Sequence, residues 1–225
     1  MLLLLPPSEG KADPPPGPPA DLSALAFAEA LTATRERVLD AVDPGLRAAP
    51  AAPAQDVYTG VLFGRLSLPS LSVGTGREVL IASALWGVVR PGDRIPRYKL
   101  PIGERRPDLG PLAARWRPAL AEALAGLDAP GALVVDCRSG GYVAMWRPRE
   151  AARVAVRAFR VDPDGTRRTI SHMAKAARGD VARALLAAPR RPRTPADVAE
   201  AAARAGLEVE LNEDRGGLAL DVLER

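Results

Sequence analysis

The chain has 225 residues, 47% of them apolar and 26% charged, with a formal net charge of +4 and a pI near 9.7. That length allows one sizeable core or at most two small ones, and the composition is that of an ordinary soluble globular protein rather than a disordered or fibrous one. A single cysteine, Cys137, excludes a disulfide framework and any cysteine-based zinc site, while the mild positive charge suggests an anionic partner.

The apolar run Met1–Leu5 is too short for a signal peptide core or a membrane span, so a cytoplasmic protein without a membrane partner is expected. Leu2–Leu5 reads as a short buried strand that delivers Ser8, Glu9 and Lys11 on a loop. Asp13–Pro19 is a stiff, Pro-rich connection. Apolar spacing predicts a helix over Leu22–Val42, with Asp21 or Ser23 as its cap and Asp43-Pro44-Gly45 as its stop. Ala48–Ala54 reads as loop and Val57–Leu66 as helix. Glu78–Ala84 is a buried strand feeding a loop-rich segment, Trp86–Gly103, punctuated by Pro91, Pro96 and Pro101.

Leu109–Leu127 is predicted as a long amphipathic helix and Ala132–Asp136 as a second buried strand. The Asp164-Gly165 turn signal predicts a hairpin of Val154–Val161 and Thr166–Ser171. Helices follow over His172–Ala188 and Thr194–Ala205, the second opened by Thr194-Pro195 and closed by Gly206. Leu207–Leu211 and Leu218–Val222 read as terminal strands. Strands and helices alternate without an internal repeat, which predicts one α/β (or α+β) domain over residues 1–225, a mixed β-sheet flanked by helices.

Of the 31 lysines and arginines, only Lys11, Lys99 and Lys175 are lysine, and each lies in a distinctive segment. A compact, titratable ammonium does what a planar guanidinium cannot, so these positions suggest a shaped pocket; an arginine-biased genome is the bland alternative. The three tyrosines, Tyr58, Tyr98 and Tyr142, fall in or beside the same segments.

Loops at strand ends are where open α/β sheets hold ligands. Ser8 to Lys11 follow one strand, and Asp136 to Tyr142 follow another, with Ser139-Gly140-Gly141 able to open a helix. The Ser83–Gly103 stretch can bring Arg90, Asp93, Tyr98 and Lys99 to one pocket, or Arg90 and Asp93 can simply brace a turn. His172, Lys175 and Arg178 share one helical face suited to a phosphate or carboxylate, or to a general base. No Walker loop, dinucleotide fingerprint or metal-ligand spacing occurs, so no metal and no cofactor is expected.

Pro6-Pro7-Ser8-Glu9-Gly10-Lys11, Asp56-Val57-Tyr58-Thr59-Gly60, the Ser83–Gly103 stretch, Asp136–Tyr142 and Ser171–Gly179 occur in the order seen in the YaaA family of peroxide stress proteins, which this chain resembles over nearly its whole length. The resemblance implies an unusual α/β fold with a positively charged cleft and a role in peroxide resistance through limiting free iron. It also implies DNA binding through a helix-hairpin-helix-like element. Two family features differ here. Ala176 stands where a second lysine is common, and Gly141 where a glutamate precedes the tyrosine.

Two functions are consistent with these residues. One is a stress protein whose basic cleft docks an anionic ligand or nucleic acid such as DNA. The other is an enzyme acting on a nucleotide, nucleobase or other anionic metabolite. In either case Lys11, Lys99, Lys175 and Tyr142 are the candidate catalytic groups. Ser8, Glu9, Tyr58, Thr59, Gly60, Arg90, Asp93, Tyr98, Asp136, Ser139, His172 and Arg178 are the candidate ligand contacts. A monomer is the expectation, though nothing in the sequence fixes it.

Overall fold

Four consecutive leucines make strand β1 (Leu2–Leu5), and all four are buried. Such a run fits only a strand covered on both faces, as in the middle of a parallel sheet. The computed structural model describes residues 1–169, 171–214 and 217–225, with residues 171–173 by backbone only. Helix α1 (Ala28–Val42) follows β1, then the short β2 (Ala52–Pro53), α2 (Ala54–Val57) and α3 (Val61–Leu66). Strand β3 (Glu78–Ser83) turns back into β4 (Gly87–Val89), and β5 (Arg94–Ile95) pairs with β2. A small ribbon of β6 (Arg105–Arg106) and β7 (Gly110–Pro111) leads to α4 (Leu112–Ala123). Next come β8 (Leu133–Asp136), the four-residue α5 (Gly140–Val143), β9 (Ala152–Val161) and β10 (Arg167–Arg168). The chain ends with α6 (Ser171–Ala187), α7 (Pro195–Arg204), β11 (Val209–Asp214) and β12 (Gly217–Glu224).

Among the described residues the main sheet has eight strands in the order β11-β12-β9-β8-β1-β3-β4, with β10 on one end of β9. Its centre is parallel, and antiparallel partners close both edges. The fold is therefore α/β with a mixed sheet, as the sequence predicts. The chain leaves β1 toward β3 on one side and later places β8 on the other. The C-terminal ends of β1, β3 and β8 therefore flank the point where the strand order reverses, the usual ligand crevice of an open α/β sheet.

Several boundaries differ from the sequence reading. Helix α1 starts at Ala28, not Leu22, because Phe27 is left-handed (φ 57°) and the Asp21 carboxylate closes a local turn on Ser23. The Ala26 amide is held instead by Asp93. The predicted helix over Val57–Leu66 is broken at Tyr58–Gly60, and the predicted loop Ala48–Ala54 already holds β2. Within Trp86–Gly103, β4 and β5 replace part of the expected loop. Helix α4 is shorter than expected, running on as a single 3₁₀ turn, Ala125–Leu127. The return arm of the hairpin reduces to Arg167–Arg168; Ser171 opens α6, and Ile170 lies outside the described residues. Helix α7 has the full capping box, Thr194 accepting from the Asp197 amide and Asp197 accepting from the Thr194 amide.

Helices α3 and α6 pack unusually closely at Gly179. A Cβ there would lie 2.5 Å from the Leu62 carbonyl oxygen and 2.8 Å from Arg65 Cβ. The contact is latched by Arg65, whose Nε and Nη2 reach Asp180 at 2.8 and 2.9 Å. Gly179→Ala is therefore expected to lower the melting temperature despite alanine's better helix propensity, since overpacking costs about 1–3 kcal/mol against about 1 kcal/mol of propensity gained. Thermal denaturation of the variant checks this; an unchanged or higher midpoint would show that the helices can part freely.

Candidate functional site

The loop that follows β1 is held by a short backbone ladder. Ala12 N donates to the Val57 carbonyl at 2.9 Å and Thr59 N to the Gly10 carbonyl at 3.1 Å, which makes Lys11 and Tyr58 antiparallel bridge partners. Bridge partners present their side chains to the same side as close neighbours. The loop can close this tightly because residue 60 is glycine: its φ is +124°, and a Cβ would sit 2.6 Å from Ser8 Oγ.

Lys11 Nζ rests 4.4 Å from the centroid of the Tyr98 ring and 5.5 Å from that of Tyr58, and it donates to the Ser8 carbonyl at 2.6 Å. Rings and carbonyl favour the ammonium form. Burial works the other way and brings the amine down to about 8, with Arg97 acting in the same sense and Glu9 against it. Lys11 is thus a half-buried amine lowered to about 8 and still mostly protonated at neutral pH.

Behind it lies a chain of hydroxyls. Tyr58 Oη and Tyr98 Oη are 2.7 Å apart, and Ser83 Oγ is 2.7 Å from Tyr98 Oη. Ser83 ends β3, and its Oγ also accepts the Leu85 and Trp86 amides at 3.2 and 3.0 Å. Phe63 stacks on Tyr58, and Trp86 meets Tyr98 edge-on. Burial holds both phenols well above their ordinary value. Tyr142 is raised as well, by burial first, and also by Tyr98 and Glu9, which are close enough for their charges to be felt. All three tyrosines therefore share one neighbourhood. The Gly140–Tyr142 turn lies directly on Ile102, since a Cβ on Gly141 would be 2.6 Å from Ile102 Cγ2. On the rim, Lys175 Nζ is 3.8 Å from Glu9 Oε1, both side chains open to solvent.

The structure thus brings together Ser8, Glu9, Lys11, Tyr58, Thr59, Gly60, Tyr98, Tyr142 and Lys175. It does not bring Arg90 and Asp93 to them. Strand β4 runs antiparallel to β3 and carries that turn to the opposite end of the sheet, where Arg90 Nε meets Glu78 at 2.7 Å. Asp93 accepts the Arg90 and Ala26 amides there, so this pair braces a turn through its backbone, not through an Arg90–Asp93 ion pair. Asp136 is buried and fully engaged, with Arg138 Nε at 2.8 Å and Arg153 Nε at 3.0 Å. Lys99 and Ser139 are exposed, Ser139 at the start of α5. Arg178 is half-buried and spends Nε on the Val156 carbonyl at 3.2 Å. The His172 side chain lies outside the described residues. Cys137 is buried, and burial pushes its thiol up to about 12, an unreactive state. No group of three His, Cys, Asp or Glu among the described residues is placed to hold a metal ion, and no helix among them is long and apolar enough to cross a membrane.

Residues that sequence reasoning passed over hold this arrangement in place. Ser83 carried only the signal of ending a buried strand. Arg138 reaches from Asp136 to the Tyr142 and Trp146 carbonyls, fixing the turn that bears Tyr142. Arg35, fully buried on α1, donates to the Trp86, Val88 and Ala26 carbonyls and so anchors β4; an arginine on an amphipathic helix gives no hint of this in sequence.

Comparison with known proteins identifies the family. The family model described as peroxide stress protein YaaA matches residues 19–212. A UPF0246 protein of Streptomyces coelicolor is 38% identical, the match covering 99% of this chain and 98% of the relative. A UPF0246 protein of Corynebacterium efficiens is 39% identical over 96% of this chain and 97% of its own. A Corynebacterium glutamicum relative of the same description is 35% identical over 94% and 96%. With a family model spanning most of the chain and relatives matched along almost their full lengths, the chain belongs to the YaaA family of peroxide stress proteins.

Proposed function

We propose that this YaaA-family protein serves peroxide resistance in the cytoplasm by binding an anionic small molecule in the crevice above β1, β3 and β8. In the reading carried over from the family, that binding limits iron-driven damage. The observation that supports it is Lys11: a cation held half-buried on two aromatic rings, with Lys175 on the rim, at the end of a sheet where such folds keep their ligands. An enzyme acting on the bound metabolite is the second reading. It is favoured by the same amine, because a lysine titrating at about 8 can exchange a proton at working pH. Docking of DNA on a broad basic surface is the competing reading, and there an arginine serves as well as a lysine.

Lys175 separates the last of these from the other two. Its side chain is 48% exposed and only loosely paired with Glu9, so Lys175→Arg should leave the melting temperature within about 1 °C, surface changes costing within about 0.5 kcal/mol. A shaped pocket will not accept the wider guanidinium, and peroxide survival of a deletion strain complemented with Lys175→Arg is expected to fall well below that with the wild-type chain. Full complementation would favour the nucleic-acid surface. The direct test is calorimetric titration of the purified protein with sulfate, a nucleoside monophosphate and a short DNA duplex; heat with the duplex alone would overturn the small-molecule pocket.

A further inference from the structure

Anion binding alone does not explain why residue 11 is a lysine. The chain carries 31 lysines and arginines, and all but Lys11, Lys99 and Lys175 are arginine. A guanidinium binds carboxylate or phosphate oxygens in two parallel bonds and stacks on aromatic faces, so an arginine would serve a seat on the Tyr58 and Tyr98 rings at least as well. What a lysine adds is a primary amine, which in its neutral form bonds covalently to a carbonyl carbon. The surroundings of Lys11 suit that reaction. Its side chain is half-buried, not sealed into the core, and among the described residues Nζ has one hydrogen-bond partner, the Ser8 carbonyl at 2.6 Å. It also lies 4.4 Å from the centre of the Tyr98 ring. A protonated imine at that nitrogen carries one N–H and one positive charge. The Ser8 carbonyl takes the N–H and the ring face takes the charge, so the groups that hold the ammonium also hold the covalent product. Burial lowers the amine from 10.5 to about 8, so about one Lys11 in ten is neutral at pH 7, against about one in three thousand for an ordinary lysine. Lys175 supplies a second cation nearby. Its Nζ is 3.8 Å from Glu9, whose charge Lys11 also feels, so the two amines flank one exposed carboxylate that an acid group of a ligand can replace.

We propose that Lys11 is a nucleophile that forms an imine with a carbonyl compound bearing an acid group, a 2-oxo acid in its smallest form, and that Lys175 receives the acid group. The nitrogen lone pair adds to the carbonyl carbon, and the C=O electrons move to the oxygen. The C–O bond then breaks, and the oxygen leaves as water with two protons that began on the ammonium. The product is the protonated imine, and no oxidant or reductant takes part. This inference rests on the reading of the crevice as the site of an enzyme acting on an anionic metabolite, and it names that metabolite's reactive group.

Sodium pyruvate with sodium cyanoborohydride tests it on the native full chain. The hydride reduces the imine to a stable secondary amine, and peptide mass spectrometry reads the label at each lysine and at the terminal amine separately. Lys11 is expected to be labelled at least about tenfold faster than Lys99 and Lys175, since its gain in neutral amine over an ordinary lysine is offset only in part by the weaker nucleophilicity of a less basic nitrogen. In guanidinium chloride the three lysines should be labelled alike, which ties the selectivity to the fold. Acetone, which lacks the acid group, should label Lys11 more slowly than pyruvate does, and Lys175→Gln should lower the pyruvate-to-acetone ratio at Lys11 severalfold. A ratio near one in the wild-type chain, or one that Lys175→Gln does not change, would overturn the acid-bearing class of ligand. Labelling of native Lys11 no faster than that of Lys99, in a chain that still binds sulfate by calorimetry, would overturn the imine and leave the anion site standing. A wild-type chain that neither binds sulfate nor is labelled selectively at Lys11 would overturn both.

Discussion

Asp136→Ala is expected to be the most destabilising single change in this protein. The carboxylate is 1% exposed and faces two guanidiniums that are almost as buried, those of Arg138 and Arg153. Burial alone disfavours the charge on Asp136, but the two arginines outweigh it and hold the carboxyl below its ordinary value of 3.8. Removing it leaves Arg138 with carbonyl partners only and Arg153 with only the longer contact to Asp214 at 3.7 Å, a loss of about 3–5 kcal/mol, or roughly 10 °C in melting temperature for a chain of this size. Because Arg138 also carries the Tyr142 and Trp146 carbonyls, the loss extends to the turn that faces Lys11. The pH dependence has a definite sign. A depressed carboxyl contributes stability that is complete above its unfolded value and fades as pH falls through its folded one. The gap between wild type and Asp136→Asn should therefore be full at neutral pH and narrow below pH 3.8. Denaturant unfolding at neutral and acid pH measures both; equal midpoints at neutral pH would show the pair to be dispensable.

Lys11→Met is expected to weaken anion binding by one to two orders of magnitude while leaving the fold at least as stable. Methionine keeps the apolar stem over the Tyr58 and Tyr98 rings and drops the charge. A hydrogen bond to a charged group contributes about 1.5–3 kcal/mol, so sulfate affinity should fall by about 10- to 100-fold. The melting temperature should hold, because burial lowers the amine and so its charge is a cost to folding below about pH 8. In the wild-type chain, sulfate does not itself titrate in this range, so its affinity should decline as pH rises through about 8 and Lys11 gives up its proton. Retained affinity at pH well above that point, or in Lys11→Met at neutral pH, would place the anion elsewhere, with Lys175 the next candidate.

Much of the fold was legible because local chemistry and tertiary position agree. Leu2–Leu5 and Leu133–Asp136 are apolar runs because central parallel strands are covered on both faces. Thr194-Pro195 with Asp197 caps α7 whatever surrounds it. Where the reading failed, a distant group had outbid a local one. Leu22–Phe27 has helical spacing, but its Ala26 amide is taken by Asp93, 67 positions away. Tyr58 sits in a helical pattern, yet pairing with Lys11 pulls it out as a bridge.

The same division applies to the site. The sequence by itself marked the strand-end loops at Ser8–Lys11 and Asp136–Tyr142 as the candidate site, since strands of that character terminate there and the rare lysines and tyrosines gather beside them. The family resemblance was also legible in it, and the family model matches residues 19–212. Only the tertiary structure decided which neighbours belong. Tyr58 and Tyr98 are 40 positions apart and Ser83 is 15 from Tyr98, and β1 brings Tyr58 to Ser83 by pairing with β3 while Lys11, just beyond it, bridges to Tyr58. Arg90 and Asp93, far nearer to Tyr98 in sequence, are carried away because β4 runs antiparallel to β3. Strand direction and strand order are properties of long-range pairing, and the short-range spacing of residues does not encode them.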